Sequence, residues 1–299
     1  MSAALARSIA DDNSLVDGEF AFTRENFTRI AALLHAQAGI TLSESKTTLV
    51  YSRLAKRVRT LGLKNFDEYC NLLAAPESDE ERGRMLNALT TNLTRFYREP
   101  HHFDHLRDNV LAPMVDKIRS GARLRIWSAG CSTGQEPFSI ALTILSLIPE
   151  AANLDVKILA TDIDTNVIAQ GQAASYAEDL VEPIPAAQRA KWLERDTELG
   201  QWRLTAAPRA LVAFKPLNLM QDWPIKGPFQ AIFCRNVVIY FDEPTQERIW
   251  TKFEPLLERT GRLYIGHSER LGAISDRFVS DGLTVYRPIG QQRATRTVS

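Results

Sequence analysis

Cysteine is scarce in this chain, with three among 299 residues. No two of them have CxxC spacing, which argues against a disulfide framework or a zinc site and favours a reducing compartment. Long apolar stretches are missing too, because no window approaches the roughly 18 apolar residues of a membrane-spanning helix. The N-terminal segment also lacks the apolar run of a signal peptide. We therefore expect a cytoplasmic protein without membrane insertion.

An excess of charge of one sign is also lacking, since 36 lysines and arginines balance 36 aspartates and glutamates. This balance gives no global indication of nucleic acid or a membrane as a partner, so electrostatic recognition has to come from a local patch. The hydrophobic content of 44% is typical of a globular chain with a well-buried core. We expect a monomer that binds no nucleic acid.

The first third of the chain has helical periodicity. After a polar stretch at residues 1–20, which we expect to be a loose tail, apolar residues recur at helical spacing from about Thr23. Gly39 and Gly62 mark the ends of the first two predicted helices. The pattern predicts a small all-α domain over residues 21–90.

Residues 121–290 differ, because short apolar runs such as "LRIWSAG" and "VKILATDI" alternate with helical stretches. This alternation predicts an α/β fold with a doubly wound parallel sheet covered on both faces. The Asp-Gly turn in "RFVSDGLTVYRPI" predicts a closing antiparallel hairpin. Residues 177–209 fit the alternation poorly and are predicted to be an insertion, with a helix around "AAQRAKWLER" and a strand at "GQWRLT". We expect residues 91–120 to be a linker and helix, and residues 291–299 to be a C-terminal tail.

A glycine-bearing turn, "SAGCSTGQEP", follows the first predicted strand. Gly130, at the carboxyl end of that strand, would let the backbone approach a ligand, and the following helix N-terminus favours negative charge. The spacing is not GxGxxG and no Walker lysine follows, which argues against a dinucleotide site and a P-loop. A purely structural turn remains the alternative.

The second strand ends in "ATDID", which places Asp162 or Asp164 beside that turn. A carboxylate at this position can accept both hydroxyl groups of a ribose. Asp164 suits the N-cap of the next helix, which leaves Asp162 for a ligand. A nucleoside ligand without a phosphate-binding loop indicates S-adenosylmethionine, whose cationic sulfonium needs acids and backbone oxygens more than a phosphate cradle.

Polar residues also occur in the apolar stretch "CRNVVIYFD", predicted to be a further strand. Arg235, Asn236 and Tyr240 lie near its end, and polar side chains there are costly unless satisfied. We predict that they belong to the site, with hydrogen bonding inside the core as the alternative.

Basic residues are concentrated on the second predicted helix, with no acid between Lys46 and Lys64. This pattern indicates either a solvated face or a docking surface for an acidic protein, formed by Lys46, Arg53, Lys56, Arg57 and Arg59.

In "HHFDH", His101 and His105 have the i,i+4 spacing of metal ligands. No further ligand supports that interpretation, so we expect surface histidines and no metal.

Taken in order, these segments resemble the CheR-type chemotaxis protein methyltransferases over about residues 20–290. The resemblance rests on "NLTRFYREPHHFDHL", "WSAGCSTGQEPFSIA", "ATDID", "FKPLNL", "FCRNVVIYFD" and "GRLYIGHSE". It implies a helical N-terminal domain that docks the receptor, a Rossmann-like class I methyltransferase domain with a small inserted β-subdomain, and a segment at 91–120 that crosses the cofactor site.

The resemblance also implies an activity, the transfer of a methyl group from S-adenosylmethionine to glutamates of chemoreceptor cytoplasmic helices. By motif, the cofactor contacts would be Asn92, Thr94, Arg98, Glu136, Asp162, Asn218, Leu219, Arg235 and Asn236, with Gly130 in the turn. The residues matching Arg98 and Tyr240 lie near the transferred methyl group in the family, and we predict catalytic roles for both.

Three departures from the family pattern are visible. Gln135 and Glu136 stand where the family commonly has two acids, so only Glu136 can be the acidic ligand, and Phe138 replaces a tyrosine. The insertion is short and lacks the glycine-rich loop of members that grip a receptor's C-terminal pentapeptide, which favours pentapeptide-independent docking. A methyltransferase of another receptor pathway and a non-catalytic cofactor-binding module are the alternative functions.

Overall fold

The computed structural model describes residues 14–198 and 200–289. The chain divides into two compact units. One unit comprises the chain up to Thr91 together with Tyr240–Asp242, and the other comprises Asn92–Ile239 and the chain from Glu243 onward. The predicted tails include residues 1–13 and 291–299, which lie outside the described residues.

The described part of the first unit is helical, as the sequence predicts, with helices at α1 (Arg24–Ala38), α2 (Thr47–Thr60), α3 (Phe66–Ala74) and α4 (Asp79–Leu89). Thr23 and Asn26 form a capping box that satisfies N–H groups at the start of α1. Gly39 ends α1 in the left-handed conformation, with φ of 70°. Local sequence signals therefore set both ends of this helix.

Residues 14–20 pack onto this unit, in contrast to the loose tail expected up to residue 20. Ser14 pairs with Thr23 in a β-bridge, and the Phe20 ring lies edge-on to Phe66 with centroids 6.4 Å apart. The backbone N–H of Phe20 donates to the Tyr51 hydroxyl over 3.2 Å. These contacts are non-local, so the polar composition of the stretch gave no sign of them.

The second unit is built on a mixed sheet whose strand order, in the described residues, is β6-β2-β1-β7-β8-β10-β9. The strands are β1 (Leu124–Ala129), β2 (Val156–Asp162), β6 (Val212–Pro216), β7 (Phe229–Cys234), β8 (Leu257–Ile265), β9 (Phe278–Gly282) and β10 (Val285–Pro288). The strands from β6 to β8 are parallel, and the closing hairpin of β9 and β10 is antiparallel. Both features confirm the sequence-based prediction.

Helices cover the two faces of this sheet, at α5 (His101–His105), α6 (Val115–Arg119), α7 (Gln135–Leu147), α8 (Thr165–Ala173), α11 (Ala206–Leu211) and α12 (Glu243–Phe253). Neighbouring residues of β1 serve opposite faces. Ile126 belongs to the cluster that contains Ile144 of α7, whereas the Trp127 ring packs on Phe253 of α12 at 5.0 Å between centroids. Burial on both faces explains why these strands are continuous apolar runs.

The insertion contains α9 (Glu178–Val181), α10 (Ala186–Trp192) and a small antiparallel sheet of β3 (Ser175–Tyr176), β5 (Gln201–Leu204) and β4 (Leu193–Asp196). The helix and the strand predicted here are present. The predicted helix extends too far, however, because residues 193–195 pair with β5 as strand β4. Leu193 is buried in the cluster that contains Leu204, so tertiary packing outweighs local helix propensity there.

The stretch "CRNVVIYFD" also differs from its prediction. Strand β7 ends at Cys234, and Asn236 has a positive φ of 59° that a continuing strand does not allow. A short 3₁₀ helix, Val238–Tyr240, follows. Arg235 and Asn236 therefore lie in a turn beyond the carboxyl end of β7.

Candidate active site

The carboxyl ends of the parallel strands share one edge of the sheet, and most of the predicted site residues follow these ends. Along the chain the sheet grows from β1 through β2 to β6, and then returns to the other side of β1 with β7. This reversal creates a switch point between β1 and β7, where open α/β sheets bind their ligands. The sheet topology thus selects the turns after β1 and β7 as the centre of the candidate site.

The turn after β1 needs its glycines for internal packing. Gly130 has φ of 80°, and a Cβ atom there would lie 2.2 Å from Cγ2 of Val237. Gly134 has φ of 94°, and its Cβ would approach the Tyr176 hydroxyl to 2.9 Å. Val237 thus gives a structural reason for glycine at position 130, and the approach of a ligand to the Gly130 backbone stays a prediction.

Asp162, the last residue of β2, organises the backbone around this turn. Its carboxylate accepts the N–H of Ser132 over 2.8 Å and the N–H of Asp164 over 3.0 Å. Burial raises the pKa of this carboxyl, while the backbone N–H donors work against that rise. Asp164 caps α8 by accepting the N–H of Asn166, which confirms the N-cap expected from the sequence.

The segment Asn92–Pro100 is fastened to several parts of the second unit. The Asn92 side chain donates to Asp164 Oδ2 over 2.8 Å, and its carbonyl accepts the Ser132 hydroxyl over 2.9 Å. Farther along, the Tyr97 N–H donates to the Ser139 hydroxyl of α7 over 2.9 Å, and Phe96 is fully buried. A linker would not need these bonds, so the segment is an integral part of the strand-end edge.

Arg235 forms the electrostatic centre of the site, with only 1% of its side chain exposed. Its guanidinium lies 3.0 Å from Glu136 Oε2 and 3.2 Å from Glu99 Oε2. It also donates to the carbonyl of Arg98 over 2.5 Å. The guanidinium of Arg235 is therefore bonded inside the core, as the alternative interpretation of the sequence predicted.

Glu136 lies in the first turn of α7 and pairs with this arginine. Its Oε1 accepts the Ser128 hydroxyl over 2.7 Å, while Oε2 pairs with Arg235. Burial raises the pKa of this carboxyl, and both partners oppose that rise because they stabilise the charged form.

The remaining predicted contacts in this unit lie at the same edge or next to it. The N–H of Leu217 donates to the carbonyl of Asp162 over 2.9 Å, which holds the following Asn218 and the buried Leu219 at this edge. Arg98 is half-buried and donates to the Leu93 carbonyl over 3.1 Å. Thr94 lies in the same segment and is also half-buried.

The structure places Tyr240 and the predicted docking residues in the first unit. Arg53 caps the end of α4 by donating to the carbonyls of Ala88, Leu89 and Thr90, and Arg57 forms a largely buried ion pair with Glu81. Both arginines therefore have structural partners that the sequence did not reveal. The exposed members of the basic set are Lys46, Lys56 and Arg59, of which Arg59 pairs with Glu19.

Glu269 was not among the site residues predicted from the sequence, and its side chain is almost fully buried. Its carboxylate accepts the N–H groups of Asn236, Val237, Val238 and Gly266. It thereby fixes the turn after β7, in which Asn236 adopts its positive φ. The only signal was an acid in "GHSE" directly after the β8 strand.

The expectation of surface histidines at "HHFDH" is wrong. His102 is fully buried. His105 has 13% of its side chain exposed, and its ring nitrogens contact the Tyr264 hydroxyl and the Asp281 carbonyl at 3.0 Å each. Because α5 packs on the sheet through Phe103, neighbouring positions become buried as well.

The acidic residues at the carboxyl edge of the sheet, Asp162 and Glu136, fit S-adenosylmethionine by their chemistry. A carboxylate offers about four acceptor sites, so Asp162 keeps capacity for ribose hydroxyls beside its backbone bonds. The edge also carries the Glu136 carboxylate near its centre, which suits a cationic sulfur. Fold and site together define a nucleoside-binding α/β domain without a phosphate loop, as in methyltransferases.

Comparison with known proteins gives the family. The SAM-binding domain of CheR methyltransferases matches residues 92–287, and the all-alpha domain of the same family matches residues 25–90. The chain belongs to the CheR methyltransferase family, and it is a methyltransferase that uses S-adenosylmethionine. Among the described residues, no helix has the length and apolar character needed to cross a membrane.

Several curated relatives resemble the chain over most of its length. A probable chemotaxis protein methyltransferase of Rhizobium etli is 52% identical over 85% of this chain and 96% of its own. Chemotaxis protein methyltransferases of Klebsiella aerogenes and Escherichia coli are 42% and 40% identical, covering 87% and 89% of this chain and 88% and 91% of theirs.

Proposed function

We propose that this enzyme methylates glutamate side chains on the cytoplasmic helices of chemoreceptors. The products are glutamate 5-O-methyl esters and S-adenosylhomocysteine. The observation that carries the proposal is the fastening of Asn92–Pro100 to the carboxyl edge of the sheet, because it fixes the backbone of Arg98 beside the Glu136–Arg235 pair. The names of the relatives supply the chemotaxis context.

The chemistry requires orientation more than proton transfer. A glutamate with a pKa of about 4.3 is already ionised at neutral pH, so the acceptor needs no general base. S-adenosylmethionine, when bound, supplies an electrophilic methyl group on a cationic sulfur. The chain has to align the acceptor carboxylate and exclude water, and positioning of this kind can supply roughly 7–11 kcal/mol.

Arg98 is the residue we assign to the incoming carboxylate. Its backbone carbonyl is held by Arg235, and among the residues that the structure describes its guanidinium makes one hydrogen bond, to the Leu93 carbonyl. An arginine has five N–H donors in a planar fork, so Arg98 keeps donors for a carboxylate substrate. Tyr240, the other predicted catalytic residue, belongs to the first unit, and its part in the reaction stays a prediction.

Cofactor contacts are proposed for the residues that follow the strand ends. Asp162 would accept the ribose hydroxyls, and Glu136 would offset the positive charge of the sulfonium. The other proposed contacts are Asn92, Thr94, Gly130, Asn218, Leu219, Arg235 and Asn236. We propose that no metal takes part in methyl transfer.

Receptor docking is assigned to the basic residues of the helical domain, residues 21–90. Lys46 and Lys56 are exposed, as an acidic receptor helix requires. Arg53, Arg57 and Arg59 add positive potential to the same helix, even though each has an intramolecular partner. The short β4–β5 connection supports docking without a receptor pentapeptide. We place the enzyme in the cytoplasm as a monomer.

Two measurements test this function. Calorimetric binding of S-adenosylhomocysteine to the full-length protein tests the cofactor site, and transfer of labelled methyl to a purified receptor cytoplasmic domain tests catalysis. Binding together with transfer supports the proposal. Binding without transfer to any receptor fragment would favour the alternative of a non-catalytic module, and transfer only to a receptor of another pathway would favour the second alternative.

A further inference from the structure

Glu99, His101 and His102 form a cluster at the start of α5, in which each side chain has one buried polar atom without a hydrogen bond among the described residues. One potential ligand atom from each residue lies within 4.8 Å of the other two. Glu99 Oε2, His101 Nε2 and His102 Nδ1 are all buried and make no hydrogen bond within the described part of the chain, although Glu99 Oε2 has an ion-pair partner in Arg235. Buried polar atoms are normally paired, so three such atoms in one place require an explanation.

The contacts of His102 show which of its ring nitrogens carries the proton. Nε2 lies 2.8 Å from the Thr284 hydroxyl oxygen and 3.2 Å from the Leu283 carbonyl. The Thr284 hydroxyl proton is donated to the same carbonyl, so both oxygens accept and Nε2 must donate. In a neutral imidazole this leaves a lone pair on Nδ1.

That lone pair faces a second acceptor. His102 Nδ1 lies 3.6 Å from Glu99 Oε2, and with the ring proton on Nε2 both of these atoms are acceptors. Arg235 approaches the same oxygen at 3.2 Å, but its single positive charge is divided between Glu99 and Glu136. The arrangement therefore presents converging acceptor atoms whose negative charge Arg235 offsets only in part.

We propose that Glu99, His101 and His102 form a binding site for a divalent transition-metal ion with the preferences of Zn²⁺. Two imidazole nitrogens and one carboxylate oxygen are a common ligand set for zinc, whose bonds of about 2.0–2.1 Å place tetrahedral ligands about 3.3 Å apart. The Glu99–His102 pair is close to that spacing at 3.6 Å. His101 is the third ligand, with its ligand atom within 4.8 Å of the other two.

The surroundings of the cluster match those of known metal sites. Metal-binding histidines donate their second ring N–H to a fixed acceptor, as His102 does at Leu283 and Thr284. The exposed His267 contacts Glu99 Oε1 through Nδ1 at 3.1 Å, with 68% of its side chain accessible. In the proposed site, this exposed side chain would supply the fourth ligand.

Calorimetric titration of the chelator-treated, full-length protein with Zn²⁺ tests this site. We expect one saturable equivalent, and His101→Gln should weaken binding at least about tenfold, the smallest loss typical of defects in a metal's ligand shells. His105→Gln is the matched control, because His105 lies on the same helix and both of its ring nitrogens have partners. It should bind within twofold of the unchanged protein.

A spectroscopic measurement keeps the test independent of folding defects. Co²⁺ in place of Zn²⁺ should give visible absorption bands of a tetrahedral nitrogen and oxygen site in the unchanged protein and in His105→Gln. The bands should be absent from Glu99→Gln and His101→Gln. Absence of saturable binding, or equal binding by His101→Gln and the unchanged protein, would overturn the proposal and indicate only an adventitious surface ion.

Discussion

The guanidinium of Arg235 donates to the backbone carbonyl of Arg98 over 2.5 Å, across 137 positions of sequence. The same guanidinium pairs with Glu136 at 3.0 Å and with Glu99 at 3.2 Å. One buried arginine thus links the turn after β7, the start of α7 and the segment that carries Arg98.

Replacement of Arg235 by Met should destabilise the protein strongly. It would leave the Glu99 and Glu136 carboxylates without their cationic partner in a buried site, which typically costs about 3–5 kcal/mol. The free energy of unfolding can be measured by urea denaturation. The exposed pair of Arg119 and Glu150 provides the control, since Arg119→Met should change stability by less than about 1 kcal/mol. Equal effects of the two substitutions would contradict the central position of Arg235.

Arg98→Ala should reduce turnover far more than stability. The side chain is half-buried, and within residues 14–198 and 200–289 it makes one hydrogen bond, to the Leu93 carbonyl. The free energy of unfolding should therefore change by about 0.5 kcal/mol or less. The rate of methyl transfer should fall by about 10²-fold, as expected when a positioning contact is lost. The exposed Arg95 lies in the same segment, and Arg95→Ala should keep nearly full activity. An unchanged rate for Arg98→Ala would remove this residue from the mechanism.

Glu269→Gln should loosen the turn after β7. An amide oxygen cannot accept all four backbone N–H groups that the carboxylate accepts, and unsatisfied buried donors cost about 1–3 kcal/mol each. We expect weaker binding of S-adenosylhomocysteine, measured by calorimetry, because Asn236 belongs to this turn. Glu269→Asp keeps the charge and should recover part of the affinity. Glu247→Gln, at an exposed position, is the control. If Glu269→Gln and Glu247→Gln change the affinity equally, Glu269 does not position the site.

Charge reversal on α2 and the turn before it should separate docking from folding. Lys46→Glu with Lys56→Glu changes exposed residues, so the KM for receptor should rise while S-adenosylhomocysteine affinity stays constant. The effect should shrink at high salt, because screening weakens exposed charges. A KM that does not respond to these reversals would exclude docking through this face.

Arg57→Glu should behave differently from the lysine reversals. Arg57 and Glu81 have only 18% and 9% of their side chains exposed, and the Tyr69 hydroxyl donates to the same carboxylate. Reversal places two like charges together and should cost at least about 3 kcal/mol of stability. Thermal unfolding of the isolated variant measures this cost. Stability equal to that of the double lysine variant would argue against a structural role for Arg57.

The sequence predicted those parts of the fold that depend on local pattern. Thr23 and Gly39 bound α1, and the apolar runs became β1, β2 and β6. The strand through "CRNVVIYFD" was predicted too long because the cause of its end is non-local, namely the capture of three successive N–H groups by Glu269. The hydrophobic periodicity around Asn236 and around Glu269 could not show that these residues meet.

The site was predictable by position more than by role. Asp162 and Asp164 lie where the strand pattern placed them. Gly130 leaves room for the Val237 side chain, and Arg235 pairs with two carboxylates. Neither role was visible in the sequence, because these partners lie 99 to 136 residues away along the chain. Burial of His102 likewise follows from packing of α5, since spacing alone does not say which helix face meets the sheet.

The chemical nature of the product tests the account most directly. Receptor cytoplasmic domain labelled by the enzyme from methyl-labelled S-adenosylmethionine should release its label as methanol in mild alkali, because a glutamate methyl ester hydrolyses under those conditions. Arg98→Ala should yield about 10²-fold less of this volatile label. Label that stays on the receptor after alkali, as an N-methyl group would, contradicts glutamate esterification.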